Sequence, residues 1–175
     1  MKKTFTLLLA ILVILNVAFI FYHSLQNAEQ SSAASGAVSD IVAGVVVPDL
    51  PQRPAIEQQN IMDRIREWTR TMAHAIEFAS LGMLFLAFVL VLGYAEKIPL
   101  PYKLCSALLF SAFVALFDEI IQIFVDGRAF ELKDIGIDTL GATCGILVCL
   151  GVFALYRILK KKKNASLNFY ETSQM

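Results

Sequence analysis

Charge is what this sequence has least of. Only 17% of its 175 residues are Asp, Glu, Lys or Arg, against 57% hydrophobic, a balance that excludes a soluble domain of this size and leaves the membrane class. Nucleic-acid binding is excluded with it, because the one basic cluster, Arg157 and Lys160 to Lys163, sits just beyond an apolar segment, where orientation and anionic lipid account for it. Cysteine is scarce and odd in number: Cys105, Cys144 and Cys149 lie in or beside apolar segments without metal-ligand spacing, so they read as small buried hydrophobes rather than a disulfide or a zinc site. The five prolines are confined to positions 48, 51, 54, 99 and 101, so they break only two regions of the chain. The motifs of common hydrolases and nucleotide enzymes are missing too: there is no nucleophile elbow, no HExxH and no Gly-rich phosphate loop.

What remains is apolar length. Residues 4–22 form the first run, too long for the hydrophobic region of a cleaved signal peptide and without a small-residue cleavage site, so it is expected to stay as a span. Further spans are expected at residues 71–93, 104–124 and 135–159, giving an all-α integral membrane bundle of four transmembrane helices. Residues 23–70 read as a long loop whose second half, with Ile61, Ile65 and Trp68 at helical spacing, forms an amphipathic helix anchored at the interface by Trp68. Its first half, small and polar from Gln26 to Ser39, reads equally as a partly ordered linker. A turn is expected at 94–103, a second loop at 125–134 and a basic tail at 160–175. Lys2 and Lys3 at one end and the basic tail at the other put both termini in the cytoplasm, with the loops at 23–70 and 125–134 outside the cytoplasmic membrane.

That topology gathers the ionisable residues. Arg70, His74, Glu77, Asp118, Glu119, Gln122, Arg128, Asp134 and Asp138 all fall at the outer ends of their helices, although some are about 60 positions apart in sequence. Spacing gives each helix one polar face: Arg70, His74 and Glu77 follow i, i+4, i+7, and Asp118 with Gln122 and Asp134 with Asp138 are i, i+4 pairs. Glu77 and Asp118 then lie roughly 9 Å inside their helix ends. A charge at the centre of a span costs roughly 2.5 to 3.5 kcal/mol on insertion scales, so something must offset this cluster.

Three motifs in order, RTMAHAIEF at 70–78, DEIIQIFVDGR at 118–128 and DIGIDTLGATCG at 134–145, resemble the VanZ-like family of membrane proteins. The resemblance covers residues 5–159 as a single domain and is most specific from Arg70 onward. Thr71 and Phe78 depart from it, standing where a lysine and a tyrosine are common. The family's namesake is linked to low-level teicoplanin resistance, so the resemblance implies a bacterial multi-pass protein of the cytoplasmic membrane with a bearing on glycopeptide antibiotics.

The residues allow three functional readings. The first is a site for a membrane lipid or lipid-linked cell-wall precursor, in which Arg128 offers a planar fork to phosphate or carboxylate and the carboxylates accept from hydroxyl or ammonium groups. The second is an enzyme acting on a lipid headgroup, with His74, Glu77, Asp118, Glu119 and Asp138 as acid-base groups or as ligands of a divalent metal; no cofactor is otherwise expected. The third is a structural or partner-binding protein. Its bland components are a His74–Glu77 hydrogen bond, an Asp118–Arg128 ion pair, His23 as an interfacial residue, and Gly141 with Gly145 as a close helix contact.

Overall fold

Prolines mark where the helices begin. The computed structural model describes residues 2–26, 28–92 and 97–172. Pro54 and Pro99 occupy the N-cap positions of two long helices, where a missing N–H costs nothing because no intrahelical acceptor would have used it. In chain order the elements are α1 (Lys2–Ser24), α2 (Ala28–Val46), a single 3-10 turn (Leu50–Gln52), α3 (Ala55–Val91), α4 (Leu100–Gln122) and α5 (Leu132–Thr172). Among the described residues there is no strand, and the fold is all-α. Four of these helices are long and apolar enough to cross a membrane.

The helix ends differ from those expected of isolated spans. With no proline and no glycine between Ala55 and Leu81, the amphipathic segment around Ile61, Ile65 and Trp68 runs without a break into the second span, and α3 reaches 37 residues. At 1.5 Å per residue that is about 55 Å, well beyond the ~30 Å hydrocarbon thickness of a bilayer. Most of residues 23–70 is thus helical, including the Ser- and Ala-rich stretch that forms α2. The third span ends at Gln122, and α5 extends through Thr172, past the expected fourth span into the tail. Gly93, residues 94–96 of the expected turn and residues 173–175 of the tail lie outside the described residues.

Packing follows the rules of a lipid solvent. Leu7, Ile14, Leu109, Phe113, Leu140, Leu147 and Val152 are exposed, as expected where hydrocarbon chains are the surroundings. The interior is filled by Val13, Ile20, Phe78, Leu81, Val114, Ala115 and Ala142, with Leu86, Ala107, Ile146 and Cys149 forming a second cluster. Phe85 of α3 stacks on Phe110 of α4 with ring centroids 4.1 Å apart, and joins the two clusters.

The most extensive seam lies between α3 and α5. Ala75, Ala79 and Gly82 on one side face Gly141, Ala142 and Gly145 on the other so closely that a Cβ added at Gly141 would meet the carbonyl oxygen of Ala75. One at Gly145 would meet that of Ala79, and one at Gly82 that of Ala142. The pairs Ala75–Gly141 and Ala79–Gly145 advance together along both helices, which means that α3 and α5 run in the same direction. Since apolar burial gives no advantage over lipid, such backbone-to-backbone contact is what holds two helices together in a membrane.

Candidate functional site

Each helix carries its polar residues to the same end of the bundle. The C-termini of α1 and α4 meet there: Ser24 Oγ donates to Asp118 Oδ1 at 2.6 Å, and Gln122 Nε2, one turn on along α4, donates to Asp118 Oδ2 at 2.9 Å. Asp118 is fully buried, Glu119 is 1% exposed and Asp138, on the first turns of α5, is 3% exposed. From α3 comes His74, which with Asp118 and Asp138 offers ligand atoms all within 4.8 Å of one another.

Two hydrogen bonds tie α1 to α3 beside this group. A ring nitrogen of His23 lies 2.6 Å from Glu77 Oε1, and Asn16 Nδ2 donates to Ser80 Oγ at 2.6 Å. Ser80 in turn donates to the Glu77 carbonyl at 2.7 Å. Glu119 accepts from the backbone N–H of Glu131 through Oε2 at 2.8 Å, which ties the chain following α4 back to its last turn. Between them Gly127, with φ of 76°, turns the chain in the left-handed region where glycine alone has no penalty, and Arg128 follows it directly.

Arg128 reaches inward but, among the described residues, finds no hydrogen-bond partner. All three guanidinium nitrogens are buried without a hydrogen bond. Burial and the neighbouring Arg70 charge both lower its pKa from the ordinary guanidinium value, while Asp118, Glu119 and Asp134 act in the other direction from beyond bonding distance. Buried donors left unpaired cost free energy, and charged ones the most.

Three contiguous hollows connect these groups. The smallest, about 10 Å³, is lined by Arg70, Thr71, His74, Glu119, Gln122, Asp134, Ile137 and Asp138. A polar one of about 250 Å³ lies beside it, walled by Arg70, Gln122, Arg128, Glu131 and Asp134. The third, about 350 Å³, is an apolar cleft between α2 and α3 formed by Val38, Val42, Trp68, Met72, Ala73 and Ile76, with His23, Arg70, His74 and Glu77 along its edge. Arg70 lines all three. Another hollow, of about 970 Å³, lies between residues such as Lys103, Tyr156 and Lys160 on α4 and α5, and includes none of the carboxylates.

The structure brings together all nine residues singled out from the sequence. It does not make the two structural contacts considered for them. His74 Nδ1 and Glu77 Oε2 are 3.8 Å apart, too far for a hydrogen bond, and Glu77 is bound by His23 instead. Asp118 is bound by Ser24 and Gln122 rather than by Arg128. Gly141 and Gly145 lie in the α3–α5 seam.

His23 and Ser24 belong to the site although the sequence offered His23 only as an interfacial residue. The available signal was topological: the end of α1 arrives at the same level as Glu77 and Asp118. Chemically the arrangement can accept an anion at Arg128 and Arg70, and a cation among His74, Asp118 and Asp138.

Compared with known proteins, residues 7–157 match the family described as VanZ/LLP1. No curated protein and no solved structure matches the chain.

Proposed function

This chain belongs to the VanZ/LLP1 family, and we propose that it binds the anionic headgroup of a lipid-linked envelope component at the outer face of a bacterial cytoplasmic membrane. The observation that carries this reading is the Arg128 guanidinium, with all three nitrogens buried and unpartnered next to a second arginine, at a polar hollow of about 250 Å³. The carboxylates nearby act on Arg128 only from beyond bonding distance, so its donors are free for an anion, and a planar fork suits the bidentate geometry of phosphate.

The tail of such a ligand has a place as well. Arg70 and His74 stand on the edge of the apolar cleft between α2 and α3, so a molecule with its phosphate at Arg128 and Arg70 could lay hydrocarbon along Val38, Trp68 and Met72 without crossing open water. An amphiphile matches both chemistries. Sequestering or presenting a cell-wall precursor in this way is the link to glycopeptide resistance that the family's namesake suggests.

The test is native mass spectrometry of the purified chain with polyprenyl phosphate, anionic phospholipid and a neutral glycolipid, comparing wild type, Arg128→Lys and Arg128→Ala. Charge-assisted hydrogen bonds contribute about 1.5 to 3 kcal/mol, so Arg128→Ala should weaken retention of the phosphate-bearing lipids by about tenfold to a hundredfold. Arg128→Lys should recover little of it, because an ammonium cannot reproduce the fork. A lysine variant with wild-type retention would show that bidentate recognition is wrong, and equal retention of the neutral glycolipid would remove the anionic headgroup.

A further inference from the structure

We propose that His74, Asp118 and Asp138 bind a single divalent transition cation, with Glu119 closing the site from α4. The inference does not rest on the lipid reading, since it concerns a different set of atoms.

Geometry comes first. Three ligand atoms spread evenly about an ion at about 2.1 Å are about 3.6 Å apart. The three atoms here all fall within 4.8 Å of one another, so closing them on an ion needs side-chain movements of at most about 0.7 Å each rather than a change of fold. The neighbouring hollow of about 10 Å³, to which His74, Glu119, Gln122 and Asp138 contribute, is the size of one water-sized species and no larger.

The second argument concerns partners. Asp138 is 3% exposed, and among the described residues no donor reaches its carboxylate. Glu119 is 1% exposed and binds the Glu131 N–H through Oε2, but its Oε1 is buried with nothing to accept from. His74 Nδ1 is likewise buried without a hydrogen bond. Acceptor atoms from three helices, the Asp138 carboxylate, Glu119 Oε1 and His74 Nδ1, therefore converge without protein donors among the described residues, in a place where an uncompensated carboxylate is costly. Arg128 acts on them only from beyond bonding distance, as its nitrogens bond none of these groups.

Asp118 completes the pattern in another way. Ser24 and Gln122 each take one of its oxygens, which leaves a lone pair on each for a metal and fixes the plane of the carboxylate. Outer hydrogen bonds that orient a ligand in this manner are a general property of metal sites. One imidazole nitrogen with two or three carboxylate oxygens is the donor set of Mn²⁺, Fe²⁺ or Zn²⁺; Ca²⁺ and Mg²⁺ favour oxygen alone, and Cu⁺ favours sulfur.

The experiment uses the full chain in detergent, stripped with a chelator and titrated with Mn²⁺ while free Mn²⁺ is read by electron paramagnetic resonance. One equivalent should bind, and Asp138→Asn and His74→Ala should each weaken it by about tenfold or more, since even outer partners of a ligand contribute that much. Asp63→Asn, an exposed carboxylate on α3, serves as the control and should bind as wild type does. If either variant fails to fold, the wild-type protein still decides: bound Mn²⁺ should show hyperfine coupling to one directly ligated imidazole nitrogen. Absence of saturable binding of both Mn²⁺ and Zn²⁺, binding that survives both substitutions, or a bound ion without nitrogen coupling would each overturn the proposal. Lipid retention is scored separately, so loss of the cation site with retention intact removes this inference and leaves the headgroup reading standing.

Discussion

Replacing Gly145 with alanine adds one methyl group, and the structure makes that methyl expensive. Its position coincides with the Ala79 carbonyl oxygen of α3, and this obstacle is backbone, which cannot rotate away. The two helices must part by well over an ångström for an ordinary contact, and gaps of 0.5 to 1 Å already forfeit about a quarter to a half of the dispersion energy of the atoms facing them. Overpacking of this kind costs about 1 to 3 kcal/mol. For a chain of this size that corresponds to a fall of about 2 to 12 °C in melting midpoint.

Gly151 supplies the comparison within the same helix. A Cβ there meets nothing within 4 Å, so Gly151→Ala should leave the midpoint unchanged or raise it, by up to the ~1 kcal/mol by which alanine exceeds glycine as a helix former. The assay is a helix-signal thermal melt of both variants in the same detergent. Adding Ala79→Gly to Gly145→Ala should not restore stability, because the clash is with a carbonyl that glycine also has. Equal midpoints for the two alanine variants, or rescue by Ala79→Gly, would refute the backbone seam.

Three further outcomes are expected. His23→Ala leaves Glu77, whose side chain is 11% exposed, without its 2.6 Å partner, and should lower stability by about 1 to 3 kcal/mol; a melt in which His23→Ala matches wild type would mean that this bond contributes nothing. Gly127→Ala forces a Cβ into a left-handed turn at about 1 to 2 kcal/mol and displaces Arg128, so phosphate-lipid retention should fall together with stability, whereas unchanged retention would separate the turn from the site. Trp68 is the single tryptophan of the chain and lines the apolar cleft, so lipids brominated on the acyl chain should quench its fluorescence, and quenching should be relieved by Val42→Phe filling of the cleft only if that cleft holds the tail.

Much of this was legible in the sequence because two periodic signals agree. Apolar length marks the spans, and i, i+4 spacing puts Asp118 with Gln122 and Asp134 with Asp138 on single faces; counting spans then brings those faces to one end. What periodicity does not carry is the pairing. The His23–Glu77 and Ser24–Asp118 bonds join positions 54 and 94 residues apart and depend on which faces of α1 and α4 turn inward. The failure of Arg128 to pair with Asp118 was hidden for the same reason, since two residues near in sequence and opposite in charge suggest an ion pair until Ser24 is seen to occupy one oxygen. The stretch that forms α2 reads as a linker because serine and glycine favour turns when nothing packs on them; Ser39 and Ala43 are buried against the bundle, and tertiary contact decides the matter.

The parallel course of α3 and α5 has a consequence for synthesis. Two helices that run the same way cannot be neighbours in a hairpin, so the partners Ala79 and Gly145 are 66 residues apart in sequence and α4 must be laid down between them. While the ribosome is still making α5, Asp118, Glu119 and Gln122 have already entered the bilayer with α4, and the helix that brings Asp138 and locks the seam has not arrived. Until α5 is made, the helix that carries Asp118, Glu119 and Gln122 has only α1 and α3 for cover among the described helices, and the arrival of α5 ends that exposure.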